Sequence, residues 1–254
     1  MISKNMAKLI RSLESKKHLE RTGLFVAEGP KIVNNLIAVS QPKAIIATQE
    51  WLKLNNTGKT TENFVVTEDE LRKLSFLQHP QQVLGRFPIQ TQTVDTEISN
   101  KELCLALDKV QDPGNLGTII RIADWFGIST IFCNEGTADA YNPKVVQATM
   151  GSIARVNLIY TDLASLFEKL HNHTPIYATS LDGDNIYNQE LSSTGIIVMG
   201  NEGNGVSPQV MEKVNQTLFI PTYRKIRNID SLNVAIATAI TCAEFKRRNN
   251  TPHL

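Results

Sequence analysis

Cysteine is scarce in this chain and shows no pattern. The 254 residues contain three, Cys104, Cys133 and Cys242. An odd number at wide spacing excludes a disulfide framework, and no pair has metal-knuckle spacing. Buried free thiols in a reducing compartment are the expectation. Long hydrophobic runs are missing too, so no membrane-spanning segment is expected. The first residues, MISKNMAKLIRSLESKK, lack the apolar core of a secretory signal, and Glu14 and Glu20 argue against an amphipathic targeting peptide. A cytoplasmic location is the expectation. Without secretion, the glycosylation-like triplets Asn55-Asn56-Thr57 and Asn172-His173-Thr174 carry no meaning. His171-x-His173 has no third ligand beside it, so no metal is expected. Internal repeats and low-complexity tracts are absent. Neither sign of charge dominates, since the formal net charge is +1.

That near-neutral total hides an asymmetry. Residues 1–93 carry 13 Lys+Arg against 8 Asp+Glu, and residues 94–254 carry 13 against 17. A basic front end points to a polyanionic partner. Residues 1–22 read as one helix. Met6, Leu9, Ile10 and Leu13 form its apolar side, with Lys4, Lys8, Arg11, Lys16, Lys17 and Arg21 around them. Short strands at 24–27, 44–48 and 64–66 then alternate with helices at 31–39 and from a capping pattern at Thr67. A small α/β domain over 1–92 is expected, followed by a polar linker at 93–102.

From residue 103 the pattern is cleaner. Apolar strands are predicted at 103–107, 130–133, 176–178, 196–199 and 218–220. Helices are predicted at 117–126, 143–150, 163–171 and 208–214. This alternation is that of a parallel α/β sheet covered on both faces. The last helix, 231–248, is apolar nearly all round until Lys246-Arg247-Arg248, so it is expected inside a core or against a partner.

In such sheets ligands bind beyond the carboxyl ends of the strands. Three of those ends carry polar or glycine-rich clusters. One is Asp108–Gly117, which includes Asn115, with Arg121 shortly after it. The second is Gly200-Asn201-Glu202-Gly203-Asn204-Gly205, and the third is Ser231-Leu232-Asn233. Singly, Asn115 or Ser231 reads as a helix cap, and the glycines as turns. Together they make one polar edge, which a core does not need, because buried polar groups cost free energy unless paired. The glycine loop is ordered G-x-x-G-x-G, not G-x-G-x-x-G, and Glu202 would repel a pyrophosphate. A cofactor without phosphates, such as S-adenosylmethionine, fits better. Thr57-Gly58-Lys59-Thr60 resembles the end of a P-loop, but Lys53 stands where that motif needs glycine.

Three ordered motifs carry a resemblance. They are LDKVQDPGNLGTIIRIADWFG at 107–127, VMGNEGNGVS at 198–207, and IP followed by SLNVAIA at 220–221 and 231–237. Together they resemble the SpoU/TrmH branch of the SPOUT RNA methyltransferases. The front end, with LFVAEGPKIV at 24–33, resembles the L30e-like substrate-binding domain that many members carry. The resemblance implies a parallel-sheet methyltransferase domain over 103–254 with a C-terminal trefoil knot, a rare exception to unknotted topology. It also implies a homodimer through the last helix and the first-motif region.

The implied reaction is methyl transfer from S-adenosylmethionine to a ribose 2′-hydroxyl of structured RNA, with 23S rRNA the expected substrate and tRNA the alternative. By resemblance Gly200, Ile220 and Leu232 line the cofactor site, with Thr179, Met199, Asn201 and Gly205 beside them. Arg121, Asn115, Glu202, Ser231 and Asn233 form the catalytic set. The resemblance implies Arg121 as the base, but an arginine is effectively never deprotonated in a protein, so Arg121 is expected to position a phosphate or hydroxyl and to relay a proton when desolvated. The stretch TYRKIRNID at 222–230 is longer and more basic than the family's connector, and its Arg224, Lys225 and Arg227 are candidate RNA contacts. Beside a tRNA 2′-O-methyltransferase, a non-catalytic RNA-binding or ribosome-assembly factor on the same fold is the second alternative.

Overall fold

The computed structural model describes residues 4–59, 61–90, 95, 97–170, 174–223 and 231–249. The chain opens with α1 (Lys4–Ser12), α2 (Lys16–Thr22), β1 (Leu24–Glu28), α3 (Pro30–Ile37), β2 (Ala44–Ala47), α4 (Gln49–Leu54), β3 (Glu62–Val65), α5 (Glu68–Leu74) and β4 (Val83–Pro88). It continues with α6 (Ile98–Lys101), β5 (Leu103–Leu107), α7 (Pro113–Trp125), β6 (Thr130–Cys133), α8 (Pro143–Ala148), β7 (Asn157–Tyr160), α9 (Leu163–Leu170) and β8 (Ile176–Asn185). The last elements are β9 (Gly195–Met199), α10 (Pro208–Met211), β10 (Gln216–Phe219) and α11 (Val234–Asn249). Two compact units result: residues 1–91 with 139–154, and residues 92–138 with 155–254.

The first unit holds a four-stranded sheet in the order β1-β4-β2-β3. Strand β4 is antiparallel to both β1 and β2, and β3 is parallel to β2. Gly85 and Arg86 interrupt the apolar run of β4, which is why pattern reading misses it. Packing demands the glycine, because a Cβ at Gly85 would stand 2.6 Å from the Phe87 ring. The single helix expected over 1–22 is two helices. Leu13 and Leu19 are both buried, yet on a straight helix they would lie about 120° apart. The chain bends at 13–15 to bury both, and the Ser12 hydroxyl turns back to the Leu9 carbonyl (2.7 Å). The helix from Thr67 forms as expected, with a capping box between Thr67 and Glu70.

Residues 139–154 follow β6 in the chain but pack into this first unit. Val146 and Ile153 join its core, and the Tyr141 ring lies 4.8 Å from that of Phe25. The sequence reading runs the later domain without interruption from 103, and so places the helix at 143–150 beside the other sheet.

The second unit is a six-stranded, all-parallel sheet in the order β10-β8-β9-β5-β6-β7. Strands β5 and β9, LCLAL and GIIVM, are buried along their whole length and read correctly as apolar runs. From β5 the chain moves outward through β6 and β7. From β9 it moves the other way, to β10. The switch point of the sheet therefore lies between β5 and β9, where an open α/β sheet binds ligands. Strand β8 continues past its expected end at 178. On β10, Thr217 pairs with Ala178 while the next residue, Leu218, pairs with Asp184. Residues 179–183 thus leave the ladder as a wide bulge. Gly183 lets the strand rejoin, since a Cβ there would stand 2.7 Å from the Leu218 backbone.

The connector at 224–230 lies outside the described residues. All three cysteines are buried and free. Burial pushes the Cys104 and Cys242 thiols up to about 12, and raises Cys133 as well. They stay protonated and unreactive. Among the described residues no helix is long and apolar enough to cross a membrane.

Candidate active site

Two caps decide which side chains reach the site. Helix α7 starts at Pro113, four residues before its expected start, with Asp112 as N-cap. The Asp112 carboxylate accepts the Asn115 backbone N–H (2.8 Å). Asn115 is therefore inside the first turn and its side chain is not spent on capping. At α11 the cap is Asn233 rather than Ser231. Its Oδ1 accepts the N–H groups of Ala235 (3.0 Å) and Ile236 (3.3 Å). That leaves the Asn233 amide nitrogen free to donate elsewhere.

These side chains form one chain of hydrogen bonds. Asn233 Nδ2 donates to Asn115 Oδ1 (3.0 Å), and Asn115 Nδ2 donates to Glu202 Oε1 (2.5 Å). Ser231 Oγ donates to the Glu202 carbonyl (3.5 Å). Four of the five catalytic candidates, Asn115, Glu202, Ser231 and Asn233, are thereby brought together. They come from positions up to 118 residues apart. Arg121 is not joined to them. It is exposed on α7, with no hydrogen-bond or ion-pair partner among the described residues. Its i+4 neighbour Trp125 is 84% exposed.

The glycine loop closes on itself. Asn201 and Gly205 exchange both backbone hydrogen bonds at 2.9 Å. Asn201 Oδ1 also accepts from Gly203 N (2.9 Å) and Asn204 N (3.1 Å). The loop is so tight that a Cβ at Gly200 would stand 2.3 Å from the Gly205 backbone. Gly205 adopts a φ of 66°, a left-handed conformation that favours glycine.

Beneath this loop, at the carboxyl ends of β8, β9 and β10, lies a cavity of about 740 Å³. All seven residues expected to hold a cofactor line it: Thr179, Met199, Gly200, Asn201, Gly205, Ile220 and Leu232. Glu202 and Ser231 line it as well, so the cavity and the asparagine network share a wall. Sequence reasoning missed Ser180, Leu181 and Asp182, which the β8 bulge carries into the lining. The available signal was Leu181-Asp182-Gly183-Asp184, a polar, glycine-containing stretch straight after an apolar strand. The described lining residues include two carboxylates, Asp182 and Glu202, and no Lys or Arg.

The six basic candidates of the front end, Lys4, Lys8, Arg11, Lys16, Lys17 and Arg21, are all exposed on α1 and α2. Arg11 is partly committed, because it donates to the Lys73 carbonyl (3.0 Å) and covers the Phe76 ring at 5.3 Å. Lys16 stands 4.0 Å from Glu20. Arg224, Lys225 and Arg227 lie outside the described residues, as do His171 and His173. Among the described residues no group of three or more His, Cys, Asp or Glu could hold a metal ion.

Comparison with known proteins fits this arrangement. Residues 102–243 match the SpoU rRNA Methylase family, and residues 4–85 match the MRM3-like substrate binding domain. The 23S rRNA (guanosine(2553)-2'-O)-methyltransferase of Bacillus subtilis is 30% identical over 236 residues, which cover 91% of each chain. A TrmH-family structure from Porphyromonas gingivalis is 36% identical, with a TM-score of 0.89 over 98% of this chain and 100% of that one. An AdoMet-bound rRNA methyltransferase from Sinorhizobium meliloti is 29% identical, with a TM-score of 0.85 over 99% of this chain and 97% of that one. On a family match spanning more than half of its length, the chain belongs to the SpoU rRNA methylase family.

Proposed function

We propose that this protein is an S-adenosylmethionine-dependent methyltransferase acting on a ribose 2′-hydroxyl of rRNA. The observation that carries the reading is the wall shared by two features. One is a cavity made largely of backbone and apolar groups. The other is the Asn115–Glu202–Asn233 network. The cavity suits this cofactor on charge. A pyrophosphate would meet Asp182 and Glu202 with no described lysine or arginine to offset them, whereas a net-positive methyl donor meets a favourable field. When bound, the cofactor supplies a methyl group activated by its positively charged sulfur. Thr179, Met199, Gly200, Asn201, Gly205, Ile220 and Leu232 would hold it.

The network handles the nucleotide. Glu202 Oε1 is held by Asn115, and Glu202 Oε2 has no partner among the described residues. Oε2 is the atom left to accept a hydrogen bond from the hydroxyl that must lose its proton. Asn115, itself held by Asn233, keeps that carboxylate in place, and Ser231 holds the Glu202 backbone. Arg121 remains a guanidinium and binds phosphate or hydroxyl rather than acting as a base. The exposed cations of α1 and α2, with Arg224, Lys225 and Arg227, supply the RNA-contacting surface, and the 1–92 segment acts as an L30e-like substrate-binding domain.

The same reading extends to assembly and topology. Helix α11 leaves a stripe containing Ile236 (54% exposed) and Ala243 open, and α7 leaves Trp125 open. A second copy covering these faces would make the active homodimer and would also cover the face that carries Arg121. A trefoil knot formed by the stretch from β10 into α11 belongs to the reading, as does a cytoplasmic location, where rRNA is assembled.

The test is methyl incorporation into rRNA from cells lacking the protein, with mapping of the 2′-O-methyl site. The expected result is one rRNA position filled by the protein and left empty by folded Asn115→Ala or Arg121→Ala variants. Incorporation into tRNA alone would move the substrate. RNA binding without incorporation, and no cofactor binding by calorimetry, would leave a non-catalytic assembly factor.

A further inference from the structure

The turn leaving β5 grips the glycine loop at both ends. Asp108, the first residue of that turn, is 1% exposed. Its backbone N–H extends the β5–β9 pairing to the Met199 carbonyl (2.9 Å). Its carboxylate then spans two partners. Oδ2 accepts the Ser207 backbone N–H (2.7 Å), and Oδ1 accepts Asn134 Nδ2 (2.7 Å). Asn134 is itself held, since its backbone N–H donates to the Leu107 carbonyl (2.9 Å) and its Oδ1 accepts Leu163 N (3.4 Å). The next residue, Lys109, adopts a φ of 61°. Its carbonyl accepts Asn201 Nδ2 (2.9 Å). The closed loop 201–205 is thus anchored at its start through Asn201 and just past its end through Ser207. Glu202 sits between the two anchors.

From this geometry we infer that Asp108 is a positioning residue, which sets where the Glu202 carboxylate stands by clamping the glycine loop to the end of β5. A buried carboxylate satisfied only by N–H donors is costly, and a core alone would do better with a neutral group. The acid is required because two donors converge on it. Both of its oxygens accept, whereas an asparagine would turn its NH₂ toward one of the two donors. The left-handed Lys109 has the same logic: a non-glycine residue in that region costs free energy, and here it aims a carbonyl at the other anchor. Catalytic geometry is sensitive to displacements of about 1 Å, which cost on the order of 100-fold in rate.

The inference rests on the proposed methyl transfer, and the test separates the two. Asp108→Asn in the full-length protein should lower kcat for rRNA methylation by about 10- to 100-fold, with KM for RNA unchanged within about twofold. Amide hydrogen exchange at residues 201–207 should speed up, which reads the clamp without any assay of activity. A merely structural role would lower the active fraction or the melting temperature while leaving kcat per folded molecule and the loop's exchange unchanged, and that result overturns the inference. The swap Asp108→Asn/Asn134→Asp restores a donor opposite an acceptor and keeps an acceptor for Ser207 N. It should recover kcat and slow exchange. A swap protein that folds but stays slow overturns the inference, and so does failure of both variants to fold. If the unmodified protein transfers no methyl group, the proposed function falls, and the exchange data alone decide whether Asp108 clamps the loop.

Discussion

The two sheets put their charged groups in different places. In the first unit Glu28 and Arg86 are buried in the sheet itself. Glu28 accepts hydrogen bonds from the Ser75 hydroxyl and from Phe76 N (2.8 Å). Among the described residues Arg86 has one distant acid, Glu62 at 3.7 Å, and its Nε has no partner. In the second unit the strands β5 and β9 are wholly apolar, and the polar groups gather beyond their carboxyl ends. A charge buried in a sheet and tied to its own unit bears first on stability. Polar groups at a strand's end, facing a cavity, can bind and react. The difference teaches where substitutions should register as function and where as folding.

The largest effect should come from the strand-end network. Glu202→Gln and Asn115→Ala should each lower kcat by about 100- to 1,000-fold, the range seen when one positioned polar group is removed from a reacting centre. Both lie at partly open positions, so the melting temperature should move by less than about 3 °C. Steady-state methylation beside a thermal melt checks the pair of outcomes. A large loss of stability with proportionate loss of activity would break the comparison, because the network would then be part of the fold.

Gly200→Ala should come next. The added Cβ would have to displace the Gly205–Val206 backbone, from which it would stand 2.3–2.6 Å. Backbone cannot swing aside like a side-chain end, so the loop must open. Cofactor affinity measured by calorimetry should fall at least about tenfold, equivalent to about 1.4 kcal/mol. A Gly85→Ala variant in the first unit is the control. It should lower stability through the Phe87 clash and leave cofactor affinity unchanged.

How much of this was legible in the sequence follows the same division. Strands β5 and β9 were legible because apolar runs bounded by turns have one natural reading. So were the three clusters at strand ends, because polar residues after a buried strand are out of place in a core. Strand β4 was not legible, since Gly85 and Arg86 break its pattern and the reason for both lies in residues distant in sequence. The 179–183 bulge was hidden for a related cause: only the register against β10 shows that Ser180–Asp182, after the expected Thr179, turn toward the cavity. Cap positions slipped by two to four residues. Asp112, Asn115, Ser231 and Asn233 are all good capping types, and local preference does not choose among them. Their long-range partners chose. Arg121 was expected in the cluster, and the single chain leaves it on an exposed helix face.

A smaller effect separates the buried carboxylates. In the second unit Glu244, on α11, is held down to about 2, first by its hydrogen bond to Arg247 and then by Arg248. Arg248 also reaches the Gln189 carbonyl (2.8 Å), so the acid helps fasten α11 to the chain after β8. A carboxyl depressed in the folded state contributes stability that is present above the usual carboxylate range and is lost as pH falls toward 2. Glu244→Gln should therefore cost about 1–2 kcal/mol at neutral pH, with the gap to the unmodified protein closing in acid.

The smallest effect should have the opposite slope. Burial raises the Glu28 carboxyl above its ordinary value, against the opposing pull of Ser75, Phe76 and Arg11. The folded protein then binds this proton more tightly than the unfolded chain does. Stability from that proton is complete below the usual carboxylate range and is lost as pH rises through the raised value. Gln fits the same place, since its oxygen can accept Phe76 N and its amide can donate to the Ser75 hydroxyl. Glu28→Gln should therefore match the unmodified protein in acid and be equal or more stable by less than about 1 kcal/mol at neutral pH. Chemical denaturation at pH 4 and pH 7.5 compares the two. If Glu28→Gln instead loses stability at neutral pH, then the hydrogen bonds from Ser75 and Phe76 outweigh burial and the carboxylate is favoured in its ionised form. In that case the first unit, too, draws stability from a buried charge.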